Sequence, residues 1–266
     1  MGVRNLTATV QPRGVEAIVE HIPLERILGK GLDLTTKKEH QNPLGQLLLE
    51  FRQFNDEILE RPYEHSVRVA YGAMALTYLT GRRPDEILTI GLIGLFHDIG
   101  KLKIDPSILN KKGLTEHEEA LIREHPINGY FSVKEVLPRN VGLGVAAHHW
   151  FDGYPTPQEF YEVTGATPEK ILHLSRYVSI MDGFDVGIKG RHYRPSIDLD
   201  EIVRTLKAKM PENSGLIDKA RKMVSSPRYD AWIQQRVQAL NAYLDSVKAA
   251  QSGHALPYDS LSVRAA

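Results

Sequence analysis

Ile93-Gly94-Leu95-Phe96-His97-Asp98-Ile99-Gly100-Lys101 is the stretch on which the reading of this chain turns. It closes an apolar run, Ile87 to Phe96, with a histidine, an aspartate and a lysine. A run so apolar belongs inside a protein, so its polar end is buried or lines a cleft. A buried His-Asp pair needs partners or a metal to offset its desolvation. Neighbours on an ideal helix point about 100° apart, so His97 and Asp98 cannot both face one ion from a helix interior. At a helix end they can straddle a metal centre, the carboxylate bridging two ions. Gly100 then serves as a C-terminal cap that turns the chain.

Helix punctuation surrounds that stretch on both sides. Residues 1–42 carry an irregular apolar scatter broken by Pro12 and Pro23 and read as an N-terminal extension of two short helices. Asn42-Pro43 opens a helix through Phe51 and Ile58. Another begins near Tyr63 with His65 in its first turn and stops at Thr80-Gly81. Pro84-Asp85-Glu86 opens the central helix. After Lys101, residues 103–113 read as an ordered loop closed by the capping box Thr115-x-x-Glu118, and a single helix runs from there past His125-Pro126 to Val136. A helix over Asn140–His149 ends in paired histidines and a loop from Trp150 to Pro157. Thr167-Pro168-Glu169 begins a helix carrying Asp182 and Asp185. No segment alternates with period two, so the fold class is all-α.

The C-terminal helix, near 227–248, repeats Ile233, Val237, Leu240, Leu244 and Val247 at 4-3-4-3 spacing. Such a seam packs in cis or makes a two-helix homodimer contact. The domain reading is therefore 1–42 extension, 43–225 main domain, 226–250 C-terminal helix and 251–266 frayed tail.

Composition narrows the function classes. The 266 residues hold 33 Lys+Arg against 33 Asp+Glu, a balance that argues against a nucleic-acid polymer as partner. There is no cysteine, so any metal is held by nitrogen and oxygen. The longest apolar run is far short of the ~20 residues that span a bilayer, and Met1 to Val10 lacks the apolar core of a secretory signal. A cytoplasmic protein without a membrane partner is expected. His65, His97, Asp98, His125, His148, His149 and Asp182 stand at helix ends or beside prolines and glycines, on separate predicted helices. Nitrogen and oxygen donors in that number suit two ions such as Fe or Mn better than one tetrahedral zinc. His21, His40, His117, His173, His192 and His254 read as ordinary core or surface residues.

The same residues carry a family resemblance. Glu64-His65-Ser66-x-Arg68-Val69, His97-Asp98-Ile99-Gly100-Lys101, Ile108-Leu109-Asn110-Lys111, His125-Pro126-x-x-Gly129, His148-His149 with Asp152-Gly153-Tyr154-Pro155, Asp182-x-x-Asp185 and Arg191-x-Tyr193-Arg194 follow one another in order. From about Tyr63 to Met223 the chain resembles the HD superfamily of metal-dependent phosphohydrolases, and within it the HD-GYP branch. That resemblance implies an HD-domain helical bundle with one metal on His65, His97, Asp98 and Asp182. A second would rest on Asp98 as bridge with His125, His148 and His149. Glu64 and Asp185 are the candidates for orienting the ligating imidazoles.

It further implies a phosphodiesterase that hydrolyses cyclic di-GMP to pGpG, and on to GMP, through a metal-bridging hydroxide. Asp98 and Lys101 would be catalytic. Lys101, Arg191 and Arg194 would bind phosphate, and Tyr193 would stack on a base. Two alternatives keep the fold: a weakly active cyclic-dinucleotide binder or scaffold, with a diguanylate cyclase as partner, or a hydrolase for another nucleotide phosphate ester.

The chain departs from the branch in three places. Trp150 replaces the usual glutamate after the paired histidines. The loop to Gly-Tyr-Pro is about three residues shorter. Arg61 stands where some members have a glutamate for a third metal, so two ions are expected, since a guanidinium cannot ligate one. The stretch before His65 is too short for a receiver domain, so any input would come through the helical extension or the C-terminal seam.

Overall fold

The computed structural model describes residues 43–190 and 195–251. Within them the chain is all-α and has no strand. In order come α1 (Pro43–Phe54), α2 (Pro62–Leu79), α3 (Pro84–Phe96), a 3-10 turn (Ile99–Lys103), α4 (Pro106–Leu109), α5 (Glu116–Arg123) and α6 (His125–Val133). They are followed by α7 (Arg139–Ala146), a 3-10 turn (Trp150–Asp152), α8 (Pro157–Thr164), α9 (Glu169–Lys189), α10 (Leu199–Lys209), a 3-10 turn (Pro211–Asn213), α11 (Ser214–Val224) and α12 (Tyr229–Gln251). Proline opens α1, α2, α3, α4 and α8, at the helical position whose missing N–H costs nothing. The expected extension over 1–42 and the tail beyond Gln251 lie outside the described residues.

The central helix α3 buries Ile87, Ile90, Ile93, Leu95 and Phe96, each contributing about 1.5–3 kcal/mol by removal from water. Its most extensive partner is α2, and α9 and α7 pack on it as well. Gly94 lets the backbones of α2 and α3 touch: a methyl there would lie 2.7 Å from Ala70 Cα. A smaller cluster of Phe54, Ile58, Ile104 and Leu109 ties α1 to the segment after the first 3-10 turn.

Four expectations need correcting, the first being the loop expected over 103–113, which holds the single turn of α4. Gly100 is not among the glycines at positive φ, so it is not a left-handed cap. A methyl on it would meet His125 O at 2.0 Å and Gly129 N at 2.5 Å, so this glycine lets α6 lie directly against the 3-10 turn. The helix expected from Thr115 to Val136 is two helices, broken at Glu124; Pro126 has no N–H to bond Ile122 O and cannot continue α5. The loop expected from Trp150 to Pro157 contains a turn of 3-10 helix, and α8 follows at once. There Thr156 and Glu159 form a capping box, with Glu159 Oε2 accepting from Thr156 N at 2.8 Å.

The seam on α12 packs in cis. Ile233, Val237, Leu240, Leu244 and Val247 are all buried in the same core as α2 and α3, which leaves no free homodimer face along it. Among the described residues no helix is long and apolar enough to cross a membrane.

Because two backbone atoms of α6 occupy the space beside Gly100, Gly100→Ala should cost about 3 kcal/mol or more. The check is a denaturant midpoint measured by far-UV circular dichroism; an unchanged midpoint would refute the close contact.

Candidate metal centre

Three helices end at one place. His97 follows the last residue of α3, His125 sits at the junction of α5 and α6, and His148 lies just beyond α7. In each case the ring turns back on a carbonyl three residues earlier: His97 Nδ1 to Gly94 O at 2.8 Å, His125 Nδ1 to Ile122 O at 2.7 Å, His148 Nδ1 to Val145 O at 2.6 Å. These carbonyls belong to the last helical turn, where amide donors along the helix run out. Ile122 O is also the acceptor that Pro126 cannot use. With Nδ1 donating, each imidazole presents a bare Nε2 lone pair, the tautomer a metal requires.

The other two imidazoles are fixed by carboxylates. His65 Nδ1 pairs with Asp185 Oδ2 at 2.7 Å, and Arg68 grips both oxygens of Asp185 at 2.7 Å. His149 Nδ1 pairs with Asp152 Oδ2 at 2.8 Å, and Lys209 holds the other oxygen of Asp152. Tyr154 stacks on His149 with ring centres 4.7 Å apart. Of the two expected orienting carboxylates, Asp185 has the role; Glu64 pairs instead with Arg61 at 2.8 Å.

Asp98 lies between the imidazoles. Its Oδ1 is 3.3 Å from His125 Nε2, while its Oδ2 is 3.6 Å from His97 Nε2 and 3.9 Å from His65 Nε2. The two oxygens thus face two different sets of nitrogens. Lys101 Nζ donates to Oδ2 at 2.7 Å. That contact follows from the switch to 3-10 helix, where residues three apart eclipse.

All seven candidate ligands come together. The donor atoms of His65, His97 and Asp182, of His97, Asp98 and His148, and of His125, His148 and His149 form groups whose members lie within 4.8 Å of one another. Such spacings fit nitrogen and oxygen ligands about 2.0–2.2 Å from a shared ion. The first group has a further mark. His65 Nε2, His97 Nε2 and Asp182 Oδ1 are buried without a hydrogen-bond partner, although His65 Nε2 and Asp182 Oδ1 are only 3.0 Å apart. Three orphaned acceptor atoms aimed at one point are costly unless a cation joins them, so the residues fit a metal.

Protonation agrees. Burial pushes His97 down, His148 well down and His125 to about 4, so all three are neutral near pH 7. Burial also opposes the charge on His65, yet Asp182 and Asp185 raise it, marking that nitrogen as a cation position from which a metal would displace a proton. Desolvation works against an ionised Asp98, but Lys101 and the neighbouring imidazoles hold its carboxyl well below the usual range.

The centre forms the floor of a cleft of about 460 Å³, to which Lys101, His125, His149 and Asp182 contribute. Phe151 and Tyr154 line it, with Arg123 and Lys209 among its cations. Trp150 turns away, packing edge-on against Phe160 in the core with ring centres 6.2 Å apart. Arg191, Tyr193 and Arg194, expected at the substrate, lie outside the described residues. Sequence reasoning missed Asp152 with Lys209, which are 57 positions apart and share no local signal. Arg68 was visible three residues after His65, although its partner was not.

Residues 63–187 match the family model of the HD domain. Over that segment, a little under half of its length, the chain is similar to the HD superfamily. Its HD domain is similar to part of a cyclic di-GMP phosphodiesterase of Pseudomonas aeruginosa, 32% identical over 151 residues, 55% of this chain and 35% of that protein. A 3′3′-cGAMP-specific phosphodiesterase of Vibrio cholerae is 29% identical over 148 residues, 54% of this chain and 33% of that one. The cyclic di-GMP phosphodiesterase response regulator RpfG of Xanthomonas campestris is 28% identical over 146 residues, 53% and 37% of the two chains. The chain thus spans about a third of the length of these curated relatives.

If Trp150 is a packing residue only, Trp150→Ala should cost about 2 kcal/mol of stability and leave metal content unchanged. Melting curves and elemental analysis of one preparation would test this; loss of metal would place Trp150 at the centre after all.

Proposed function

We propose that this chain is a metal-dependent phosphodiesterase of the HD-GYP branch that hydrolyses cyclic di-GMP to pGpG, with two Fe or Mn ions as cofactors. The observation carrying this reading is the donor set itself: five imidazoles with Nδ1 engaged, their Nε2 atoms gathered on either side of one aspartate. One ion would rest on His65, His97, Asp98 and Asp182, the other on Asp98, His125, His148 and His149. The names of the similar proteins support the substrate class. The complete set of donors, with Trp150 directed elsewhere, speaks against a binder that has lost turnover.

Bound there, divalent ions supply Lewis acidity toward a phosphoryl group and acidify water toward a pKa of ~7. The chain's own groups do the rest. Asp98, ionised and fixed by Lys101, offers one oxygen to each side of the centre. Lys101 faces the cleft as well as Asp98 and would neutralise non-bridging phosphoryl oxygens as their charge grows. Phe151, Tyr154 and Arg123 line the cleft; the two rings would offer faces to a purine, and the guanidinium would meet the second phosphate of a cyclic dinucleotide. Arg191, Tyr193 and Arg194 are assigned to substrate by the resemblance of their segment alone.

The deciding experiment measures metal content and product on one anaerobically purified sample offered cyclic di-GMP or 3′,3′-cGAMP. About two ions per chain with release of pGpG is the expected result. Turnover of the hybrid dinucleotide alone would keep the chemistry and replace the substrate. Ions without turnover of either would overturn the reading.

Asp98→Ala should abolish metal loading and hydrolysis together, and a variant still holding two ions would contradict the bridging role. Lys101→Ala should lower kcat about 100-fold with metal content intact. Loss of metal there would make Lys101 part of the ion site.

A further inference from the structure

The five imidazoles are oriented in two ways, and the difference singles out one residue. His97, His125 and His148 are held by carbonyls within their own chain segment, three residues back. His65 and His149 depend on carboxylates, which are movable side chains. Asp185, the partner of His65, is immobilised by two bonds from Arg68. Asp152, the partner of His149, sits in a 3-10 turn in the loop where the chain is shortened, and the counterpart of Arg68 is Lys209 at the end of α10. One oxygen of Asp152 takes the imidazole and the other takes the ammonium. The two carboxylate-held histidines thus share one design, imidazole, carboxylate and cation, drawn from two parts of the fold: α2 and α9 for His65, the turn after α7 and the end of α10 for His149.

We propose that Lys209 is a positioning residue for the metal centre, fixing His149 as a ligand through Asp152. This rests on the reading of His149 as a ligand of the second ion. Without Lys209, Asp152 could rotate away, and the His149 ring would lose the acceptor that keeps Nδ1 protonated and Nε2 free for the ion. Tyr154 stacks on one face of the ring and restrains its tilt, but a stack leaves rotation within the ring plane unopposed. Lys209 is 48% exposed, so its removal opens no cavity. Its proximity to the cleft suggests a competing role, direct contact with a substrate phosphate. The ordinary alternative is a cation favoured by the C-terminal dipole of α10. The three roles separate experimentally.

The test is titration of the metal-free full chain with Mn²⁺, followed calorimetrically, for wild type, Lys209→Met, Lys209→Arg, Asp152→Ala and the double variant Asp152→Ala/Lys209→Met. Wild type should bind two ions. Lys209→Met should weaken one of them by about 10–100-fold, with the melting temperature of the metal-free chain unchanged, and Lys209→Arg should restore binding. Asp152→Ala should show the same loss, and adding Lys209→Met to it should cost nothing more. Two ions bound by Lys209→Met at wild-type affinity would overturn the proposal, and a raised KM alongside would assign the lysine to substrate. Losses that add in the double variant would also overturn it. A wild-type chain that binds no ion overturns this inference and the metal reading together, a result distinct from a silent variant.

Discussion

An imidazole can ligate a metal only if one ring nitrogen is bare and aimed, and both conditions are set by what the other nitrogen does. In this chain the hydrogen bonds at Nδ1 are the constraint from which the centre follows. Three of them use carbonyls at the ends of α3, α5 and α7, groups that a helix cannot satisfy within itself. Helix termination, ordinarily a difficulty to be capped, thereby becomes the means of fixing a tautomer. Because the carbonyl is three residues back, the ring orientation is as rigid as the helix that carries it.

The charge distribution follows from the same geometry. Helix C-termini carry partial negative charge, and the ends of three helices converge with Asp98 and Asp182 in a space from which water is largely excluded. Buried carboxylates and bare nitrogens in such a place are unfavourable on their own. Lys101 answers part of that charge, its ammonium lying on Asp98 and nearly as deeply buried. The unpaired atoms of His65, His97 and Asp182 show where the compensation is incomplete. Packing elsewhere in the bundle holds these groups in place against their own electrostatics: Ile93, Leu95 and Phe96, immediately before the His-Asp pair, are fully buried.

Most of this was legible in the sequence because its signals are local. The apolar run into His97-Asp98, the proline starts and the Thr115 capping box report on neighbours within four residues, the range over which helix chemistry acts. All seven residues that converge on the candidate centre were therefore identifiable, and so was the all-α architecture. What escaped were relations across space. Gly100 has the letters of a cap but the role of a contact, visible only once α6 is known to cross it. The α12 spacing allowed packing in cis or a homodimer contact, and only the fold decides for the first, with its apolar residues in the chain's own core. The Lys209–Asp152 pair joins two segments that no pattern links. The break at Glu124 was within reach, since Pro126 announces it.

The turn from Ile99 to Lys103 carries one more implication. Asp98 reaches Lys101 because the chain there advances three residues per turn, while His97 is placed by the last 3.6-residue turn of α3. The signature spans the seam between two helical pitches, and its side chains are phased by where that seam falls. Inserting or deleting one residue between His97 and Lys101 would rotate everything downstream by about a third of a revolution, swinging the ammonium away from the carboxylate even if every letter of the motif survived. The motif is therefore fixed in length as strictly as in composition, and drift in this protein has room in its loops but none in those five positions.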